Sequence, residues 1–143
     1  MNKPKKPTKS KPNARRLIAT EVMGWSKINL FVDPSTSCGE FNSFIPSKKT
    51  LPSITVGINQ NRWWQCLAVL EHEVLEALFV QYNVRYQHSD LIGSNSADYH
   101  FLMNHQQFTE VVAQGSYYIS LVYVRLQTAW KDYDTYTRRK KKK

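Results

Sequence analysis

The chain has 143 residues, is 41% hydrophobic and 13% aromatic, and carries a formal net charge of +9. That length fits one domain, and the apolar fraction supports a real core, which excludes a wholly disordered chain. No stretch approaches the roughly 20 apolar residues of a membrane span, no apolar leader follows the basic start, and two cysteines do not make a disulfide framework.

The charge is unevenly spread. Residues 1–16 carry seven Lys/Arg and no acid, and residues 138–143 carry six Lys/Arg and no acid. Residues 17–137 therefore hold seven basic side chains against all 11 acidic ones, a net of −4. The reading is one mildly acidic domain over 17–137 between two basic tails. Like-charge blocks of this kind are normally disordered, and the three prolines of residues 1–16 deepen that expectation. Cysteine usage and the missing leader predict a reduced, intracellular, cytoplasmic setting.

In chain order, residues 17–24 read as a short helical lead-in. Trp25 to Val32 alternates, with Ile28, Leu30 and Val32 on one face, and predicts a strand that Asp33-Pro34-Ser35 ends. Gly39 to Ile45 is a weaker strand closed by Pro46. Ser53 to Ile58, with Ile54, Val56 and Ile58 alternating, is the best strand signal. Asn59-Gln60-Asn61 then offers a cap for a helix from about Arg62 to about Gln81. Residues 83–87 and 99–103 look extended and permit a hairpin across a polar loop at 89–98. Asn104 caps a second helix, in which His105, Phe108, Val112, Gly115, Ile119, Val122 and Leu126 recur at steps of three and four as far as about Trp130. The fold class is α+β: a small mixed sheet of about three to five strands, one mid-chain helix and one long C-terminal helix.

The mid-chain helix carries the chemistry. It contains Leu70-Glu71-His72-Glu73-Val74-Leu75-Glu76-Ala77-Leu78, a His-Glu-x-x-Glu run. Residues i and i+4 lie about 40° apart around a helix, so His72 and Glu76 point the same way. Imidazole nitrogen and carboxylate oxygen are both good zinc ligands. Glu73 flanks the pair, and a Glu directly after the first His of a helical zinc motif is placed to act as general base on water. Trp63, Cys66, Leu67, Leu70, Val74, Ala77 and Leu78 form an apolar stripe, and Ala68, Val69, Leu75, Phe79 and Val80 flank the opposite side. A helix apolar nearly all round is expected to be buried on both sides.

A catalytic zinc site usually has three protein ligands and an open position. His105 is the first candidate for the third, because it opens a helix whose stripe faces the core. His88 is the alternative, and His100 has the least support. The strand at 53–58, just before the helix, is a candidate edge on which a peptide or protein substrate adds as a strand.

With strands before the motif and a histidine opening a later helix, the run Val69–Leu78 resembles the small zincin-like proteins of bacteriophages and their hosts. The resemblance covers roughly residues 25–125, and only the motif is specific. It implies a zinc-dependent hydrolase, metallopeptidase-like, in the cytoplasm of a bacterial host. His72, Glu76 and His105 (or His88) would be the ligands and Glu73 the base. The second Glu, where a zincin has His, departs from the family pattern.

Two other classes compete. A nucleic-acid-associated accessory protein would use the tails, with Lys3, Lys5, Lys6, Arg138, Arg139 and Lys140 on phosphates, and Trp63-Trp64 beside Arg62 as a stacking platform. A metal-stabilised protein without chemistry would bind zinc at the same residues and hydrolyse nothing.

Overall fold

The computed structural model describes residues 14–43, 49–87 and 99–140. In chain order the elements are β1 (Arg16–Met23), β2 (Ser26–Asp33), β3 (Gly39–Asn42), β4 (Ser53–Gly57), α1 (Trp63–Gln81), β5 (Arg85–Gln87), β6 (Tyr99–Phe101) and α2 (His105–Lys140). The class is α+β, a four-stranded mixed sheet with two helices, the second long. The sheet runs β1-β2-β4-β3, and β5 and β6 form a separate pair.

The first strand corrects the helical lead-in expected at 17–24. Ala, Glu and Met favour a helix, but the segment pairs antiparallel with β2 from Arg16↔Val32 to Met23↔Ser26 across the turn at Gly24-Trp25. Alternate burial of Ala19 and Met23, together with this pairing, outweighs local propensity. The basic N-terminal segment is thus shorter than residues 1–16. Arg16 opens β1, and the Arg15 guanidinium donates to Thr55 Oγ1 at 3.1 Å and sits 4.2 Å over the Phe31 ring. The expectation of disorder over the rest of that tail lies outside the described residues.

Alternation in β2 and β4 works as the sequence implies. Ile28, Leu30, Val32, Ile54, Val56 and Ile58 are all fully buried. They form the layer that joins the inner faces of α1 and α2 in one core. β2 and β4 run parallel, from Asn29↔Ser53 to Asp33↔Gly57, and β3 returns antiparallel on the far side of β4. The strand at 53–58 therefore has a partner on each edge and is not the open edge expected for substrate. That position belongs to β3.

α1 starts at Trp63 rather than on an Asn cap. The Gln65 side chain accepts from the Arg62 N–H at 3.0 Å. Cys66, Leu70, Val74, Ala77 and Leu78 are buried, as expected. The other side is not covered: Leu75 and Val80 are each 38% exposed, and His72 is exposed. Burial on both sides is overturned, because sheet and α2 cover one face only.

Asn104 caps α2 reciprocally, with Gln107 N–H to Asn104 Oδ1 and Asn104 N–H to Gln107 Oε1, both at 2.9 Å. The buried stripe is Val111, Gly115, Tyr118, Val122, Leu126 and Ala129. Phe108 (53% exposed) and Val112 (44%), expected inside, face outward. Gly115 is buried where the helices meet: a Cβ there would lie 3.4 Å from both Leu78 and Val74, in van der Waals contact. α2 also outruns its expected end at Trp130 and reaches Lys140, so Arg138, Arg139 and Lys140 are helical rather than a disordered tail. Tyr133 Oη donates to Asn59 Oδ1 (3.0 Å) and Trp130 Nε1 to the Gln60 carbonyl (3.2 Å), which tie these later turns to the loop before α1.

Candidate metal centre

His72, Glu73 and Glu76 each offer a ligand atom, and these atoms all lie within 4.8 Å of one another. The helix produces this convergence by spacing alone, with i and i+4 stacked and i+1 swung about 100° toward the core. The three differ in burial: His72 is exposed, Glu76 half-buried, and Glu73 only 5% exposed. Glu73 stands three residues after buried Leu70 and four before buried Ala77. It therefore belongs to the buried stripe rather than to its flank.

An open cleft of about 490 Å³ lies over the group, lined by Ser37, Cys38, Gly39, Ala68, Val69, His72 and Glu73. Its far wall is the β2–β3 connection. That wall is fixed by backbone bonds: Gly57 N–H donates to the Cys38 carbonyl (2.9 Å) and Asn59 N–H to the Thr36 carbonyl (3.1 Å). The Thr36 hydroxyl accepts from the Cys38 N–H at 3.0 Å. Gly57 is needed for this close crossing, since a Cβ there would lie 2.6 Å from the Thr36 carbonyl oxygen. Gly39 is the matching notch on the other side. A Cβ there would land on the Glu73 carboxylate and lie 2.6 Å from its Cγ.

Burial raises the Glu73 carboxyl above its ordinary value, and the charges of Glu76 and Glu40 push it the same way; His72 opposes them. Among the described residues His72 is the charge that favours the ionised Glu73 carboxylate. Burying an anion is costly unless it is paired. A carboxylate in that state, beside an imidazole and a second carboxylate, matches what a divalent cation needs. The group could hold a metal ion, and its donors fit one.

The other expected residues fall elsewhere. His105 is the first residue of α2, is exposed, and is not in the converging group. The position of His88 lies outside the described residues, as do Lys3, Lys5 and Lys6; the side chain of His100 does too. Arg138 pairs with Asp134 at 2.9 Å, four residues back on the same helix; Arg139 and Lys140 are exposed. Trp63 is a packing anchor rather than a stacking platform. Its Nε1 donates to Tyr123 Oη (3.1 Å), and its ring meets Tyr123 edge-on at 5.3 Å. Trp64 alone is open, at 58% exposed. Among the described residues no helix is long and apolar enough to cross a membrane.

Sequence reasoning missed Cys38, Gly39 and Glu40. Cys38 ends the β2–β3 connection and Gly39 and Glu40 open β3, more than 30 residues before His72, and only the sheet topology brings them to it. No family model, curated protein or solved structure matches this chain at a significant level.

Proposed function

We propose that this chain is a zinc-dependent hydrolase of peptide or protein substrates, built on His72, Glu73 and Glu76. The observation that carries the reading is the convergence of the three donors, with Glu73 buried and facing a cleft. The resemblance to phage and host zincin-like proteins, with a cytoplasmic setting, is part of the same proposal.

His72 and Glu76 would hold the ion, which when bound polarises a carbonyl and makes water more acidic. Glu73 takes the proton from the attacking water and passes it to the leaving amine. Its raised pKa suits that task, because a carboxyl lifted by burial holds a proton longer at neutral pH. β3 is an edge strand of the sheet, and its first residue lines the cleft. An extended chain adding to that edge would pass beside Glu73.

The test begins with zinc content of the purified protein. Wild type should carry stoichiometric zinc and His72→Ala little; equal content in the two would sink the proposal. A peptide-library digest then separates hydrolase from metal-stabilised protein, because the latter holds zinc and cleaves nothing. The accessory-protein alternative predicts nucleic-acid binding that vanishes on removal of residues 1–13 and 138–143, whatever the metal content.

A further inference from the structure

The long helix α2 buries one stripe and leaves a second apolar stripe in water. At about 100° per residue, Tyr117, Leu121 and Val124 fall within about 60° of one another and about 130° round the helix from the buried stripe. Tyr117 is 59% exposed, Leu121 36% and Val124 68%. Scattered exposed apolar residues are ordinary, so the stripe alone points to no partner. The charges that bracket it do.

From Val111 to Trp130 the only charged side chain is Arg125, which pairs with Glu21 of β1 at 2.6 Å. An acid, Glu110, stands at one end of this stretch and a base, Lys131, at the other. Both are exposed, and both fall on the side of the outward stripe. Within the chain, neutral groups bond them. Gln106 Nε2 and the Tyr82 hydroxyl donate to Glu110, the former at 2.9 Å. Lys131 Nζ donates to Gln127 Oε1 at 3.2 Å.

We infer that this face of α2 docks a second copy of the chain, whose own α2 runs antiparallel about a two-fold axis passing between Ser120 and Leu121. A two-fold makes every contact reciprocal. About that midpoint Tyr117 is the counterpart of Val124, Ala113 of Thr128, and Glu110 of Lys131. In this single register an aromatic ring on each copy covers Val124 of the other, small Ser120 faces Leu121 across the axis, and acid meets base at both ends. A parallel pair would set Glu110 on Glu110 and Lys131 on Lys131, and like charges facing each other are strongly unfavourable. The stretch from Glu110 to Lys131 is roughly 32 Å long. One helix pair of that length is a small interface, of the kind that gives weak, concentration-dependent association. No α2 residue lines the cleft over His72 and Glu73, so the inference is independent of the metal reading.

The test is the mass of nuclease-treated, full-length protein in chelator, followed by sedimentation equilibrium from about 5 to about 500 μM, the range of a weak complex. Wild type should pass from monomer to dimer across that range. Val124→Lys should stay monomeric. Because Val124 is 68% exposed, that variant should keep the helicity and urea midpoint of wild type. Glu110→Lys and Lys131→Glu should each weaken dimerisation at least about tenfold. An equimolar mixture of these two should recover it, since opposite charges then meet at both ends of the mixed pair.

Three results overturn the inference. Wild type that stays monomeric throughout leaves this face to another partner or to water. A dimer that Val124→Lys leaves intact lies on a different surface, for which the edge strand β1 is the next candidate. Loss of the dimer in both charge variants without recovery on mixing removes the antiparallel register and the argument built on it.

Discussion

Two clefts touch the same stretch of chain and differ in how their polar groups are satisfied. The first, of about 310 Å³, lies between the loop before α1 and the late turns of α2; Asn59, Gln60, Asn61, Tyr133, Asp134, Thr137 and Arg138 line it. There the protein answers itself: Tyr133 donates to Asn59, the Thr137 hydroxyl to the Tyr133 carbonyl (3.1 Å), and Arg138 to Asp134. The second, over the middle of α1, contains the nearly buried Glu73 carboxyl, which burial holds above its ordinary value against the opposing charge of His72. A polar cleft whose groups pair with one another is scaffold. A cleft that sets a buried carboxyl beside an imidazole and a second carboxylate has donors that could hold a metal ion.

Substitutions can break or sharpen that contrast. The largest effect should come from His72→Ala, which on the proposed reading removes a ligand directly. Zinc affinity should fall by more than the about 100-fold that outer-sphere changes produce, measured by competition with a chromophoric chelator. Retained affinity would make the convergence of the three donors an accident of packing.

Next is Gly39→Ala, whose new methyl meets the Glu73 carboxylate. Overpacking of this kind costs about 1–3 kcal/mol, to be read as a lower denaturation midpoint in urea. Wild-type stability would show that β3 does not press on Glu73.

Glu73→Gln should act in the opposite direction on metal-free protein. The Glu73 pKa in the folded state lies above the ordinary value of 4.5. Below that value the carboxyl is protonated whether folded or not, so burial has no charge cost. As pH rises through the elevated folded value the charge appears, and stability is lost. The neutral amide removes this loss, so the variant should gain about 1–2 kcal/mol at neutral pH. Its stability should also vary less with pH above 4.5. Thermal unfolding across pH with a chelator present checks both; an unchanged pH profile would mean that burial costs the carboxylate little.

The smallest effect belongs to the satisfied cleft. Tyr133→Phe loses one hydrogen bond, worth about 1 kcal/mol, and should leave zinc affinity where it was. A change in affinity would couple two clefts that the bonding pattern keeps apart.

Much of the scaffold is legible in the sequence, because period-2 alternation and burial are the same physics in β2 and β4. The same holds for the inner stripe of α1. β1 is illegible because its residues favour a helix locally and become a strand only by pairing across Gly24-Trp25. The phase of α2 is misread at Phe108 and Val112 because apolar residues occur on several of its faces. Gly115 lies on the face that goes in, against Leu78 and Val74 of α1. Its end is misread because Lys, Asp, Thr and Arg look like tail, whereas Trp130 and Tyr133 anchor those turns to residues some 70 positions earlier.

At the site, His72 and Glu76 follow from spacing. The burial of Glu73 was also open to inspection, since it shares the stripe of Leu70 and Ala77. The notch at Gly39 and the thiol wall at Cys38 were not, because they depend on where the sheet turns back.

The parallel pairing of β2 with β4 has a kinetic corollary. Asn29 meets Ser53, so the central ladder cannot form until the intervening segment has closed on itself. Loop closure must precede any reward from the contacts it permits. α1 docks on a platform completed only then, so the pair of walls that frames His72 and Glu73 should be among the last parts of the molecule to assemble. A cation that captures the finished arrangement would hold the chain in place by slowing its unravelling rather than by hastening its collapse.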